Sequence, residues 1–307
     1  MAVVRRSWAT VRAASEGKGI GFSKGAVGTL FALVLSLAWQ LPLEAAPPPD
    51  PFKASTSRAA REAALGSIPF DQLDAAGQGK VASVLSDVAI FRRMPVHVIR
   101  CDPDLYLFLV RHPDVVINIW EVLGVSKMTM RQTSPNTFEI AEEDGITGTV
   151  EYLYRNHDTH LIYVEGSCNG PLFAKPVRGR TLMLLKTGYV REPDGRYYIT
   201  SRLDAFVHVA SDGAELLTRT FQPLVGKVAD INFMQTSGFL GSLSRCAEMN
   251  HRGMQRLAVK LVRVPPEVRQ QFAHLAERVA QKTAALPNGT AATEPEVARR
   301  PGQDEIR

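Results

Sequence analysis

Ile146-Thr-Gly-Thr-Val-Glu-Tyr-Leu-Tyr-Arg155, the triplet Asn156-His157-Asp158, and Thr159-His-Leu-Ile-Tyr-Val-Glu-Gly-Ser-Cys168 form one continuous stretch of the chain. In the first run Ile146, Val150, Tyr152 and Tyr154 are apolar or aromatic, whereas Thr147, Thr149, Glu151 and Arg155 are polar. A period of two is the mark of a strand with one dry face and one wet face. His160, Ile162, Val164 and Cys168 keep the same phase in the second run, and the triplet between supplies turn chemistry. The pair therefore predicts an antiparallel hairpin whose even-numbered residues face a core.

The same pattern extends outward in both directions. Strand-like runs occupy 125–132, 137–142, 180–190 and 196–209, with Ser134-Pro135-Asn136, Glu143-Asp144-Gly145 and Pro193-Asp194-Gly195 as turns. In the last run Ile199, Leu203, Ala205, Val207 and Val209 are assigned inward, and Thr200, Arg202, Asp204 and His208 outward. Met128, Met130, Phe138 and Ile140 complete the inner wall. An earlier strand covers 90–100, with Met94, Val96 and Val98 on its apolar side. Asp102-Pro103 then caps a helix running to Arg111, and His112-Pro113 opens a second that ends at Gly124. Ser211-Asp212-Gly213 opens a long helical region reaching about Leu261, interrupted near Pro223. The order is strand, two helices, six strands, long helix.

The chain ends and the composition set the context. Of 307 residues 45% are hydrophobic, 22% charged and 7% aromatic, which excludes a disordered chain or a bundle of membrane spans. The net charge of +5 draws five basic and two acidic residues from 1–45, so the remainder is nearly balanced and no nucleic-acid partner is expected. Residues 1–45 have the layout of a secretory signal peptide: basic residues, an apolar run from Gly25 to Trp39, and a small-residue end at Ala45-Ala46. Removal of that segment and its retention as an anchor are both open. A Pro-rich linker follows at 46–55, then N-terminal helices within 56–89, a main domain at 90–262, a helix at 265–286 and a disordered tail at 287–307. Export is the expected destination, to a periplasm or cell envelope.

The element order resembles the helix-grip fold of the START and polyketide-cyclase-like superfamily (SRPBCC). That resemblance implies an α+β fold in which a curved seven-stranded antiparallel sheet wraps around a long C-terminal helix. The stretches Phe108-Leu-Val-Arg-His-Pro-Asp114 and Thr220-Phe-Gln-Pro-Leu-Val-Gly226 also look like an uncharacterised family of exported bacterial proteins, which implies no activity. In the superfamily the space between sheet and helix commonly holds an apolar ligand. The expectation is an envelope protein binding a hydrophobic small molecule or lipid. Its candidate cavity residues are Tyr152, Tyr154, His160, Ile162, Val164, Leu203, Ala205, Val207 and Phe239.

His160 with Tyr152 and Tyr154 has two readings, a polar anchor for a mostly apolar ligand or a core histidine with an internal partner. Leu172 and Phe173, between prolines in a long loop, are lid or membrane-touching candidates, or tuck against the sheet edge. Gly238 and Gly241 in the long helix leave room for a ligand or let helix and sheet approach closely. Cys101, Cys168 and Cys246 show no C-x-x-C spacing and read as inert thiols, with one disulfide permitted. His157, Asp158 and His160 straddle a turn and do not converge as metal ligands. No nucleophile elbow, Walker loop, zinc-protease helix or dinucleotide fingerprint occurs, so no cofactor and no catalytic residue is assigned. A structural module of the envelope and a cyclase or hydrolase using His160 and a tyrosine are the alternatives.

Overall fold

The computed structural model describes residues 50–143, 145–169, 176–210 and 222–286, with the backbone alone for 222–225. The signal-like segment, the lid candidates Leu172 and Phe173, Ser211-Asp212-Gly213 and the tail at 287–307 lie outside these residues. The chain is α+β. Its elements are α1 (Arg58–Leu65), α2 (Ala75–Leu85), β1 (Ile90–Arg93), β2 (His97–Arg100), α3 (Pro103–Arg111), α4 (Pro113–Val122), β3 (Thr129–Ser134), β4 (Thr137–Glu142), β5 (Ile146–Arg155), β6 (Thr159–Cys168), β7 (Val177–Arg191), β8 (Tyr197–Val209), α5 (Gln222–Met249), α6 (His251–Lys260) and α7 (Pro266–Ala284). A 3-10 turn at Phe70–Gln72 joins α1 to α2.

The eight strands form one open antiparallel sheet in the order β1-β8-β7-β6-β5-β4-β3, with β2 also paired to β8. Sequence counted seven strands because it ran 90–100 together. Pro95 has no amide hydrogen to give a ladder, and the strand breaks there. Arg93 pairs with Asp204, but His97 pairs with Ser201, so one extra residue enters on this side. The face assignment inverts across the break. Ile99 is buried and Val98 is 43% exposed, the reverse of the expected phase.

Residues 50–55, read as part of a spacer, are stitched to this edge. Ser55 and Arg93 exchange backbone hydrogen bonds of 2.9 and 2.8 Å, and the Val96 N–H donates to the Pro51 carbonyl at 2.8 Å. The helix signals perform as their chemistry requires. Asp102 accepts from the amides of Asp104 and Leu105 at the start of α3, and Pro113 opens α4. The long helical region breaks at Asn250, whose side chain caps α6 through the Gly253 amide; α5 begins at Gln222, with Pro223 in its first turn, and the residues before it lie outside the described ones.

Both faces of the sheet are covered, which corrects the single wet face. On the inner face α3, α4, α6, α7 and the C-terminal half of α5 enclose the largest core, which reaches the sheet at Ile99 and Ile199. On the outer face α1 and α2 bury Phe91, Leu161, Tyr163, Leu182, Leu184 and Phe206 beneath Ala60, Ala64, Leu73, Val81 and Val84. Each large apolar side chain so buried contributes ~1.5–3 kcal/mol. Asp204, assigned to the wet face, is fully buried on that side. Arg93 clamps it with two hydrogen bonds of 2.6 and 3.0 Å, while Arg202 stands at 3.6 Å. The contact with Arg202, two residues away on the same face, is thus secondary to the pair formed across the strands.

Three glycines stand in register across the sheet: Gly148 pairs with Gly166, and Gly166 with Gly179. A Cβ on Gly148 would lie 2.7 Å from the Glu165 carbonyl oxygen, and one on Gly166 2.6 Å from that of Thr147. Only hydrogen fits at these two positions.

Candidate functional site

The inner face has two differently filled halves. α4 packs on β3 and α5 on β2, so the two helices stand toward opposite edges of the sheet. Along that second edge the Arg92 Nε donates to Asp230 Oδ1 at 2.7 Å. Farther along, a Cβ on Gly241 would meet the Arg100 carbonyl oxygen and Ile99 at 3.3 Å, so this glycine serves close helix–strand approach. Gly238 makes only ordinary contact, with His97.

Between those two edges run β6, β7 and β8, with apolar side chains on their inner face. Ile162 and Ala205 are buried, while Val164, Met183, Leu203 and Val207 are half-buried. Register places Ile162 beside Met183 and Met183 beside Ala205; Val164 is joined to Val207 through Thr181. Phe239 of α5 is half-buried against Trp120 of α4, ring centroids 5.7 Å apart, and closes the gap between the helices at one end. Five of the nine cavity candidates (Ile162, Val164, Leu203, Ala205 and Val207) thus share the inner face of adjacent strands, and Phe239 stands on α5 against Trp120. The segments that leave β6 and β8, at 170–175 and 211–221, lie outside the described residues.

Tyr152 and Tyr154 do not act together. The register of β5 against β6 shifts between them, so Tyr152 pairs with Ile162 and Tyr154 with Leu161. Leu153 is the extra residue of a bulge, which sends Tyr154 to the outer-face core while Tyr152 stays inside. Regular alternation could not reveal this.

His160 is fully buried, with its ring edge-on to Tyr152 at 6.2 Å. It belongs to a buried polar cluster at the junction of α3 and α4. His160 Nδ1 and Nε2, His112 Nδ1, both Asp114 carboxylate oxygens and Arg111 Nε find no hydrogen-bond partner among the described residues. Burial lowers His160 to about 4, helped by Arg111 and Arg155; burial also lowers His112 to about 4, helped by the same two arginines in the opposite order. Asp114 is raised to about 6 by burial, although the nearby amides of Val115 and Asp114 itself pull the other way. These amides lie at the start of α4 without completing hydrogen bonds to the carboxylate. Tyr152 is raised by burial, and its hydroxyl donates to the Val110 carbonyl oxygen.

That geometry disfavours acid–base work by His160 and Tyr152. The phenol proton is already engaged, the imidazole is neutral near pH 7, and neither is exposed. His112-Pro113 marks a helix start in the sequence, but nothing in the spacing of His112-Pro113-Asp114 says that this start will be buried. Concave sites of about 630, 540, 450 and 360 Å³ formed by described residues open elsewhere, and none is lined by the nine candidates. Among the described residues no group of three or more His, Cys, Asp or Glu is placed to hold a metal. No helix among them is long and apolar enough to cross a membrane. The three thiols are free; Cys101 is buried and pushed up to about 12, chiefly by that burial, Cys168 is half-buried, and Cys246 is exposed rather than buried.

No family model matches the chain, and neither does any curated protein. Among solved structures it is similar to a conserved protein from Geobacillus kaustophilus, at 8% identity and a TM-score of 0.33, over 58% of this chain and 93% of that one. A likeness of that size carries no argument.

Proposed function

We propose that the protein is a START-like, helix-grip binding protein of the cell envelope, holding a hydrophobic small molecule or lipid in the cleft between α4, α5 and the sheet. The observation that carries this reading is the half-buried floor of Val164, Met183, Leu203 and Val207 between helices that stand over opposite edges. Apolar side chains left partly uncovered beside a well-filled core favour an apolar occupant. Two features support the helix-grip assignment. The first strand pairs with the last, while β3 forms the far edge. The glycine row removes side chains where a sheet bending around a helix would crowd them.

Native mass spectrometry and solvent extraction of the purified full-length protein test it. A bound apolar molecule is expected in the wild type, and Val207→Lys, which places a charge on the floor, reduces its occupancy at least tenfold with the circular dichroism unchanged. Wild-type protein that carries no such molecule and fails to bind a fluorescent fatty acid overturns the reading.

A further inference from the structure

We infer that α6, together with the residues that flank it and the end of α4, docks on an anionic lipid surface. Between Met249 and Pro266 the chain carries Arg252, Arg256, Lys260 and Arg263 and no acidic residue. Met254, Ala258 and the following Leu261 are buried in the inner core and fix which side of α6 faces out. Arg252, Gln255, Arg256, Val259 and Lys260 are exposed on the other side. The spacing of four sets the three cations along one line of the helix. None of these three side chains has an ion-pair or hydrogen-bond partner among the described residues. Arg263 differs, since its Nε lies 2.7 and 2.9 Å from the two Glu121 carboxylate oxygens.

Apolar side chains stand among these charges. Met249 is 79% exposed, Val259 74% and Val262 78%. At the neighbouring end of α4, Leu123 is 56% exposed and Val125 68%. The two ends are tied together, because the Arg263 amide donates to Asn118 Oδ1 at 3.3 Å and its guanidinium grips Glu121. A lone exposed valine is ordinary, but five such groups beside unpaired cations form a surface suited to a charged, greasy boundary.

Nucleic acid would use the cations and gain nothing from Val259 and Val262. An anionic bilayer uses both, with roughly fivefold in partitioning from each basic side chain near its surface. The apolar groups enter the headgroup layer without unfolding, because the opposite side of α6 stays packed in the core. This inference is independent of the cleft and of what the cleft holds.

Vesicle flotation of the full-length chain tests it. The apolar run at 25–39 can itself carry the chain to any bilayer, so the quantity read is the excess binding to phosphatidylglycerol-containing vesicles over pure phosphatidylcholine vesicles. That excess is expected to be large at low salt and to fall steeply as salt rises. Replacing Arg252, Arg256 and Lys260 together by Gln lowers it by about a hundredfold. Val259→Ser with Val262→Ser lowers it several-fold at constant charge. Replacing Lys53, Arg58 and Arg61 by Gln makes the same charge change on another surface and leaves the excess intact. Equal loss in that control, no excess at all, or tighter binding to a duplex oligonucleotide that ignores the valine changes would each overturn the inference. Matching thermal melts of the variants guard against unfolding as the cause.

Discussion

Asp204 on the outer face and Asp114 on the inner face are both fully buried carboxylates, yet they are treated in opposite ways. Asp204 is gripped through two hydrogen bonds by Arg93 across the strand pair. Asp114 sits with His112 and His160 among groups whose hydrogen-bonding atoms stay unpaired. A satisfied buried charge pins two elements together. An unsatisfied one stores a cost and makes stability depend on pH.

The sharpest way to break this contrast is at Asp204. Asp204→Ala leaves the Arg93 guanidinium largely buried without its partner and should lower unfolding stability by about 3–5 kcal/mol, read by urea denaturation. Gly166→Val tests the crowded glycine row; its Cβ meets the Thr147 carbonyl oxygen, so a loss of ~1–3 kcal/mol is expected in the same assay.

Asp114→Asn should instead stabilise the protein near pH 7, by on the order of 1–2 kcal/mol, since it removes a buried charge with no partner. Its pH signature is distinctive. A folded value of about 6 for Asp114 lies above its ordinary 3.8, so the stability it contributes is complete below 3.8 and is lost as pH rises through 6. His112 and His160 fall from 6.5 to about 4, so their contribution is present above 6.5 and is lost as pH drops toward 4. The effects oppose each other between pH 4 and 6. Removing Asp114 should therefore steepen the acid side of the stability curve, and thermal melts from pH 4 to 7 would show it. An unchanged slope would mean that the Asp114 carboxylate is solvated.

The smallest effect is expected from Tyr106→Phe. Its hydroxyl shares hydrogen bonds with Ser201 at 2.8 Å and Thr187 at 3.3 Å, a satisfied contact of the Asp204 kind. The loss should be about 1 kcal/mol. A much larger loss would mean that this contact, and not the ion pair, organises the β8 edge.

Much of the fold was legible in local pattern. Period-two alternation marked β4, β5, β6 and β8 closely, and Asp102-Pro103 and His112-Pro113 marked two helix starts. The double-sided burial has a signal in the sequence: Leu161-Ile-Tyr-Val164 and Leu182-Met-Leu-Leu185 are continuous apolar runs, as strands covered on both faces require. The glycine row was visible too, as glycines inside strand patterns. Only the pairing register shows that they stand side by side. For the candidate site, alternation put Ile162 to Val207 on one face, as the register does, but the bulge at Leu153 removed Tyr154, and burial took Tyr152 and His160 out of reach.

By itself the chain determined most of its elements, their order and the inward side of β3, β4, β6, β8 and of β5 as far as Tyr152, because turn residues and side-chain periodicity act over a few neighbours. Only the tertiary structure decided which residues lose water altogether. Asp114 and Asp204 are both unremarkable carboxylates in the sequence. What separates them is a partner, Arg93, found more than a hundred residues before Asp204 in the chain and beside it in the sheet.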